Sequence, residues 1–220
     1  MNHPSLKDAA ATFIRDAIVS GQLGPGAKVD QDEIAAILGI SRLPVREALI
    51  ELTEKGFVTA IPRRGAFVVD LGVDDVEDHY KVVELVFALA ARRAATQCDD
   101  AKLLELRRIH EQIGETDDPS VQESLNREFY STINHTGSSQ RLRAILRFLA
   151  GALPGSIYGL SPAWAPTEAR YRQQMLVALE ARDADAAARV ASEHLNECAR
   201  LTIEVLEQRG RGVVESEAIG

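Results

Sequence analysis

At 220 residues the chain is long enough for two modest domains, and 45% hydrophobic residues is ordinary for a globular protein. No apolar run approaches the roughly 20 residues that cross a bilayer, and the start MNHPSLKDAA lacks the layout of a signal peptide. Two cysteines, Cys98 and Cys198, are too few for a disulfide scaffold and match no zinc spacing, so a reducing cytoplasm is the expected home. The net charge of −8 disfavours nucleic acid only until it is divided along the chain. Residues 1–71 carry eight Lys or Arg against nine Asp or Glu, whereas Ser41–Arg64 alone carries five basic and three acidic residues. DNA binding needs a local positive footprint of this kind, not a basic whole protein.

Apolar residues recur at helical spacing from Leu6 to Val19 (Leu6, Ala9, Ala10, Phe13, Ile14, Ala17, Ile18) and stop at Ser20-Gly21. Gly24-Pro25-Gly26 is a turn. Asp30, with Glu33 three residues on, has the form of a capping box for a short helix with Ile34, Ala35, Ile37 and Leu38 inward, ending at Gly39. Ser41 caps the next helix. Pro44 sits in its first turn, where a missing N–H costs little, Val45, Leu49 and Leu52 face inward, and Lys55-Gly56 closes it. Phe57–Ile61 and Ala66–Val69 are short β-type runs around Pro62-Arg63-Arg64-Gly65, a hairpin with a basic tip. Beyond Leu71-Gly72 the pattern is helix upon helix, expected at about 74–97, 99–113, 119–136, 139–152, 166–182 and 184–208. Pro154–Pro166 is the one long irregular connection, and the tail from Gly210 is expected to fray. The division is therefore 1–71 and 72–220, mainly α, with a small β-hairpin in the first domain and an all-α bundle in the second.

Two short helices joined by a tight Gly-Ile-Ser turn, the second carrying exposed arginines, form a helix-turn-helix pattern. Arg42 and Arg46, four residues apart, project from one face at the leading end of the second helix, and arginine bonds guanine O6 and N7 bidentately. A basic hairpin tip with a glycine can approach a neighbouring minor groove. On spacing alone, surface salt bridges from these arginines to Glu47 or Glu51 account for the pattern equally well.

The string VDQDEIAAILGISRLPVREALIELTEKGFVTAIPRRGAFV shifts that balance, because it resembles the DNA-binding domain of the GntR family at almost every position from Leu6 to Asp70. The resemblance implies a winged helix-turn-helix whose contacts are Arg42, Leu43, Pro44 and Arg46 on the helix and Arg63, Arg64 and Gly65 on the wing. It also implies a homodimer on an inverted-repeat operator of double-stranded DNA, acting as a repressor. Asp32 departs from the pattern, since some relatives carry a DNA-contacting arginine there.

The helical remainder resembles the FadR-type ligand-sensing domain called FCD, most specifically at ALEARDADAAARVASEHL (178–195). Many such domains bind a divalent metal with an Asp and a His four residues apart, plus two later histidines. Here the first pair becomes Asn126 and Tyr130, the next histidine becomes Arg172, and only His194 survives. An amide, a phenol, a cation and one imidazole make a poor metal site, so no metal or other cofactor is expected. The same positions imply a cavity in which Arg172 holds an anionic effector, with Asn126, Tyr130 and His194 adding hydrogen bonds. Val83 and Phe87 replace a usual Arg and Glu and make one wall apolar. Three alternatives stay open: Arg172 pairs with a buried Glu such as Glu84 or Glu128 and no effector exists; the dimer binds DNA constitutively; or a metal is held through His194. His79, His110 and His135 read as surface histidines, Trp164 as packing in its loop, and both cysteines as inert. No nucleophile motif or phosphate loop suggests an enzyme. Helices 74–97 and 184–208 carry more apolar surface than a small bundle needs, which points to dimerisation through the second domain.

Overall fold

The computed structural model describes residues 5–70, 72–150 and 161–217, and divides at Gly72–Val73 into two compact units. In the first, α1 (Leu6–Ser20) begins at Ser5, whose hydroxyl accepts the Asp8 amide while Asp8 accepts the Ser5 amide. It stops at Gly21, which takes the left-handed conformation that a side chain would resist. β1 (Lys28–Val29) precedes α2 (Gln31–Leu38), whose first amides, of Asp32 and Glu33, are capped by the Asp30 carboxylate. α3 (Arg42–Glu54) is followed by β2 (Val58–Ile61) and β3 (Gly65–Val68). The strands form an antiparallel sheet in the order β1-β3-β2, with Val29 opposite Ala66 and Val58 opposite Val68. β1 was not legible in the sequence, because two residues cannot display a period-two pattern; only pairing with β3 defines it. Ile14, Val29, Val45, Leu49, Leu52, Phe57 and Val58 form the core, whereas Ile37, expected to face inward, is exposed.

The second unit contains α4 (Val73–Gln97), α5 (Asp100–Gly114), α6 (Pro119–Gly137), α7 (Gln140–Ala150), α8 (Trp164–Glu180) and α9 (Ala184–Glu217). All six expected helices are present. α8 begins two residues earlier than the sequence suggests, so Trp164 opens the helix and is buried against Cys198 and Leu201 rather than packing within a loop. α9 continues past 208 to Glu217. Gly210 and Gly212 each cost about 1 kcal/mol relative to alanine, but both keep the amide and carbonyl that the helical ladder needs. Most of the expected Pro154–Pro166 connection, and the last residues expected in α7, lie outside the described residues. No described helix is long and apolar enough to cross a membrane.

α4 packs along α9 and α6, and α8 packs against α9 and α5. Ala90, Ala91, Ala94 and Ala95 give α4 a small-residue face, against which Phe87, Ile109, Phe129, Ile133, Met175 and Leu179 build the core. At Gly137 the α6 backbone meets α4 so closely that an added Cβ would lie 1.9 Å from the Ala90 carbonyl oxygen. That approach keeps α6, which carries Asn126 and Tyr130, tight against α4. Gly137→Ala must push two backbones apart, and a loss of about 1–3 kcal/mol or more is expected in urea unfolding followed by helical circular dichroism.

Candidate functional site

The buried face of α3 is Pro44, Val45, Ala48, Leu49 and Leu52. Helical periodicity therefore leaves Arg42, Leu43, Arg46, Glu47 and Ile50 exposed on the opposite face. Pro44, also in the expected contact set, is buried in the first turn of α3. Arg63, Arg64 and Gly65 are exposed at the β2–β3 turn. Arg63 there adopts a positive φ of 64°, and the Arg64 guanidinium lies 5.7 Å from the Phe67 ring centre. The salt bridges considered from the sequence are absent among the described residues. Glu51 pairs instead with Lys7 at 2.8 Å and Lys55 at 2.6 Å, Arg42 pairs with Asp32, and Arg46 has no ionic partner among the described residues.

In the helical unit, three helices each contribute two polar side chains four residues apart, so each pair shares a helix face. α6 provides Asn126 and Tyr130, α8 provides Glu168 and Arg172, and α9 provides His194 and Cys198. Glu168, 3% exposed, is the centre of this cluster. Its Oε1 accepts from His194 Nε2 at 2.8 Å and from Cys198 Sγ at 3.9 Å, and its Oε2 accepts from Asn126 Nδ2 at 3.0 Å. Asn126 Oδ1 in turn accepts from Arg172 Nη1 at 2.6 Å. The His194 ring stacks on Tyr130 (5.0 Å, 16°) and lies tilted 5.1 Å from Tyr171, while Phe87 meets Tyr130 edge-on. Val83 is half-buried and belongs to none of the hydrophobic clusters.

Burial opposes charging of both members of the central pair, yet their mutual attraction prevails. Burial works against the His194 cation, but Glu168 holds its pKa well above the usual value. Burial likewise works against the Glu168 carboxylate, but His194, Asn126 and Arg172 hold its pKa below normal. Two cations thus face one anion. His110, read from the sequence as a surface residue, has its imidazole pKa lowered by partial burial and then by the Arg172 charge. Arg172 Nε and His194 Nδ1 are both buried without a hydrogen-bond partner among the described residues.

The model of the bacterial regulatory proteins of the gntR family matches residues 6–68, and that of the FCD domain matches residues 78–197, more than half of the chain. The chain is a GntR-family regulator with an FCD domain. It is similar to the HTH-type transcriptional repressor RspR of Escherichia coli K12, with 26% identity over 84% of this chain and 83% of that protein. It also resembles an HTH-type transcriptional regulator of Mycobacterium tuberculosis, 29% identical over 67% of this chain and 61% of that relative, so this match spans about three fifths of the relative's length. Among solved structures, Escherichia coli McbR/YncC superposes with a TM-score of 0.70 at 22% identity, covering 94% of this chain and 99% of the other, which supports the fold. These families and relatives are transcriptional regulators, not enzymes.

Within this GntR-family protein, neither Glu84 nor Glu128 is the acid beside Arg172. Glu84 pairs with Lys81 at 2.5 Å, and Glu128 is exposed. Glu168 takes that place. The signals for it were its spacing of four from Arg172 and the same spacing of Cys198 from His194. The metal set that the FCD domain suggests does not fit, since Asn126, Tyr130 and Arg172 stand where anionic or imidazole donors are required. Glu168, His194 and Cys198 do present ligand atoms within 4.8 Å of one another. However, both Glu168 oxygens are already engaged, and Arg172 adds a fixed positive charge one amide away.

The pH dependence follows from the pair. A histidine whose folded pKa is raised contributes stability in full below about pH 6.5 and loses it as pH rises through the folded value. A carboxylate with a lowered pKa contributes above about pH 4.3 and loses it as pH falls through its own folded value. Glu168→Gln leaves two buried cations uncompensated and is expected to cost about 3–5 kcal/mol near neutrality. It should also flatten the decline in stability as pH rises above about 6.5, as read by urea titrations of both proteins at each pH.

Proposed function

We propose that the chain is a homodimeric, operator-binding repressor of the cytoplasm, released from or locked onto an inverted-repeat DNA site by a small carboxylate in its FCD domain. The DNA contacts in this reading are Arg42, Leu43 and Arg46 from α3, with Arg63, Arg64 and Gly65 from the wing. Arginine suits guanine, and an exposed leucine beside it suits a thymine methyl group. Pro44 supports the helix from within.

The observation that carries the effector reading is the pair of buried, unpartnered donors, Arg172 Nε and His194 Nδ1. A buried donor without a partner costs about 1–3 kcal/mol, and a net positive cluster adds to that cost. A carboxylate is the group that accepts from such donors and offsets their charge. Phe87, Tyr130 and Tyr171 around the cluster favour an apolar body behind that acidic head. For such a ligand to act as a switch, it must bind more tightly to one arrangement of the two DNA-binding units than to the other.

The test combines thermal-shift screening of aliphatic and aromatic monocarboxylates with an operator-release assay. Arg172→Ala should abolish the shift and the release while ligand-free operator binding stays intact, and Arg172→Lys, lacking the planar fork, should restore only part of the response. Loss of DNA binding or of folding in both variants would make Arg172 a structural ion-pair partner and favour a constitutive dimer. The cluster of Glu168, His194 and Cys198 favours a second reading, a bound divalent ion. Stoichiometric zinc after dialysis, lost in Cys198→Ala, would establish it over the carboxylate.

For assembly, Val82, Leu85 and Leu89 form an exposed apolar stripe along α4 at helical spacing. Covering this stripe with a second copy gives a twofold interface of the helical units. Leu85→Glu is expected to shift the protein from dimer to monomer in light scattering at micromolar concentration, and to weaken operator binding with it. An unchanged dimer would place the interface elsewhere.

A further inference from the structure

The exposed pair formed by Arg42 and Asp32 lies on the face of the helix-turn-helix that reads DNA. Arg42 is the first residue of α3, and Asp32 stands in the first turn of α2. Across the turn that joins the helices, Arg42 Nε lies in ion-pair contact with Asp32 Oδ1. The two side chains are 74% and 58% exposed, so neither is fixed by packing. At that exposure an ion pair contributes little to stability, and a carboxylate on a surface that meets phosphates is electrostatically unfavourable. A role in folding therefore does not account for it.

The atoms involved suggest another role. The nitrogen that meets Asp32 is Nε, whereas the two terminal nitrogens of a guanidinium are the pair that can span guanine O6 and N7 end-on. Asp30, at the N-cap, is occupied by the amides of Asp32 and Glu33, and of the two acids in the first turn it is Asp32 that meets Arg42. Ser41, at the N-cap of α3, makes no side-chain capping bond, which leaves its hydroxyl open on the same edge. We infer that Asp32 is a specificity-determining residue of the DNA reader: it holds the Arg42 guanidinium by Nε, turned toward a guanine edge and away from the phosphate backbone. In its absence, Arg42 can swing to the nearest phosphate, a contact that carries no sequence information.

The experiment uses the full-length protein and a duplex selected by it from a randomised pool. Affinities are measured for the selected duplex, for every single-base-pair variant of it, and for random duplex, with wild type, Asp32→Ala, Arg42→Ala and the double variant. Asp32→Ala should lose roughly tenfold of the preference for G·C at one position per half-site, with binding to random duplex unchanged or stronger. Arg42→Ala should lose the same preference, and Asp32→Ala should add no further change in that background. A uniform gain across all sequences would reduce Asp32 to simple charge repulsion and overturn the inference. So would no change in preference, or a shift in preference that persists without Arg42. Asp32→Leu, of similar size but without an acceptor, replaces Asp32→Ala if thermal melting shows the alanine variant to be unfolded. Failure to select any duplex would count against operator binding itself, which is a separate outcome.

Discussion

A buried carboxylate organises the helical unit. Glu168 sits among α6, α8 and α9, and each of its oxygens is committed to a side chain from another helix. An ionised group at that depth is tolerated only when its charge and lone pairs are met, because desolvation of an unpaired ion costs several kcal/mol. The positions of Asn126 and His194 follow from that demand. The small-residue contact between α4 and α6 at Gly137 serves the same end, since it keeps the helix carrying Asn126 within the bundle.

The cluster also illustrates how one architecture can exchange an inorganic cation for an organic one. With an amide, a phenol and a guanidinium in place of metal ligands, positive charge is supplied by Arg172 and by protonated His194. The substitution alters the chemistry offered to a ligand. A metal ion accepts lone pairs from several directions, whereas a guanidinium donates hydrogen bonds in one plane. The rings of Tyr130 and Tyr171 enclose His194 on two sides.

The DNA-binding unit shows the opposite economy. Its core is fully apolar, and its charges lie outside, where they contribute little to stability and remain available for recognition. Several acidic residues of the unit are engaged locally. Asp8 and Asp30 cap helices, and half-buried Glu51 bridges Lys55 and Lys7, with its pKa lowered to about 2 by those bonds. Arg46 and the wing arginines have no ion-pair partner among the described residues, so they remain local positive charges on a chain whose net charge is −8.

Much of this was readable in the residues. The cap at Asp30, the stops at Gly21 and Gly39, and the apolar spacing of α3 and of all six later helices are local signals, decided within a few residues by hydrogen-bonding geometry and side-chain period. The arginines of α3 and the wing could be named for the same reason, because exposure follows from periodicity. The tertiary structure decided whatever depends on residues distant in sequence. β1 exists only because β3 pairs with it, Pro44 is buried because α3 packs on the rest of its unit, and Ile37 is exposed although its spacing suggested burial. Above all, the partner of Arg172 and His194 could not be read from the chain. Glu168 lies 26 residues from His194 and 42 from Asn126, and a carboxylate in an amphipathic helix resembles any solvated glutamate until packing removes it from water.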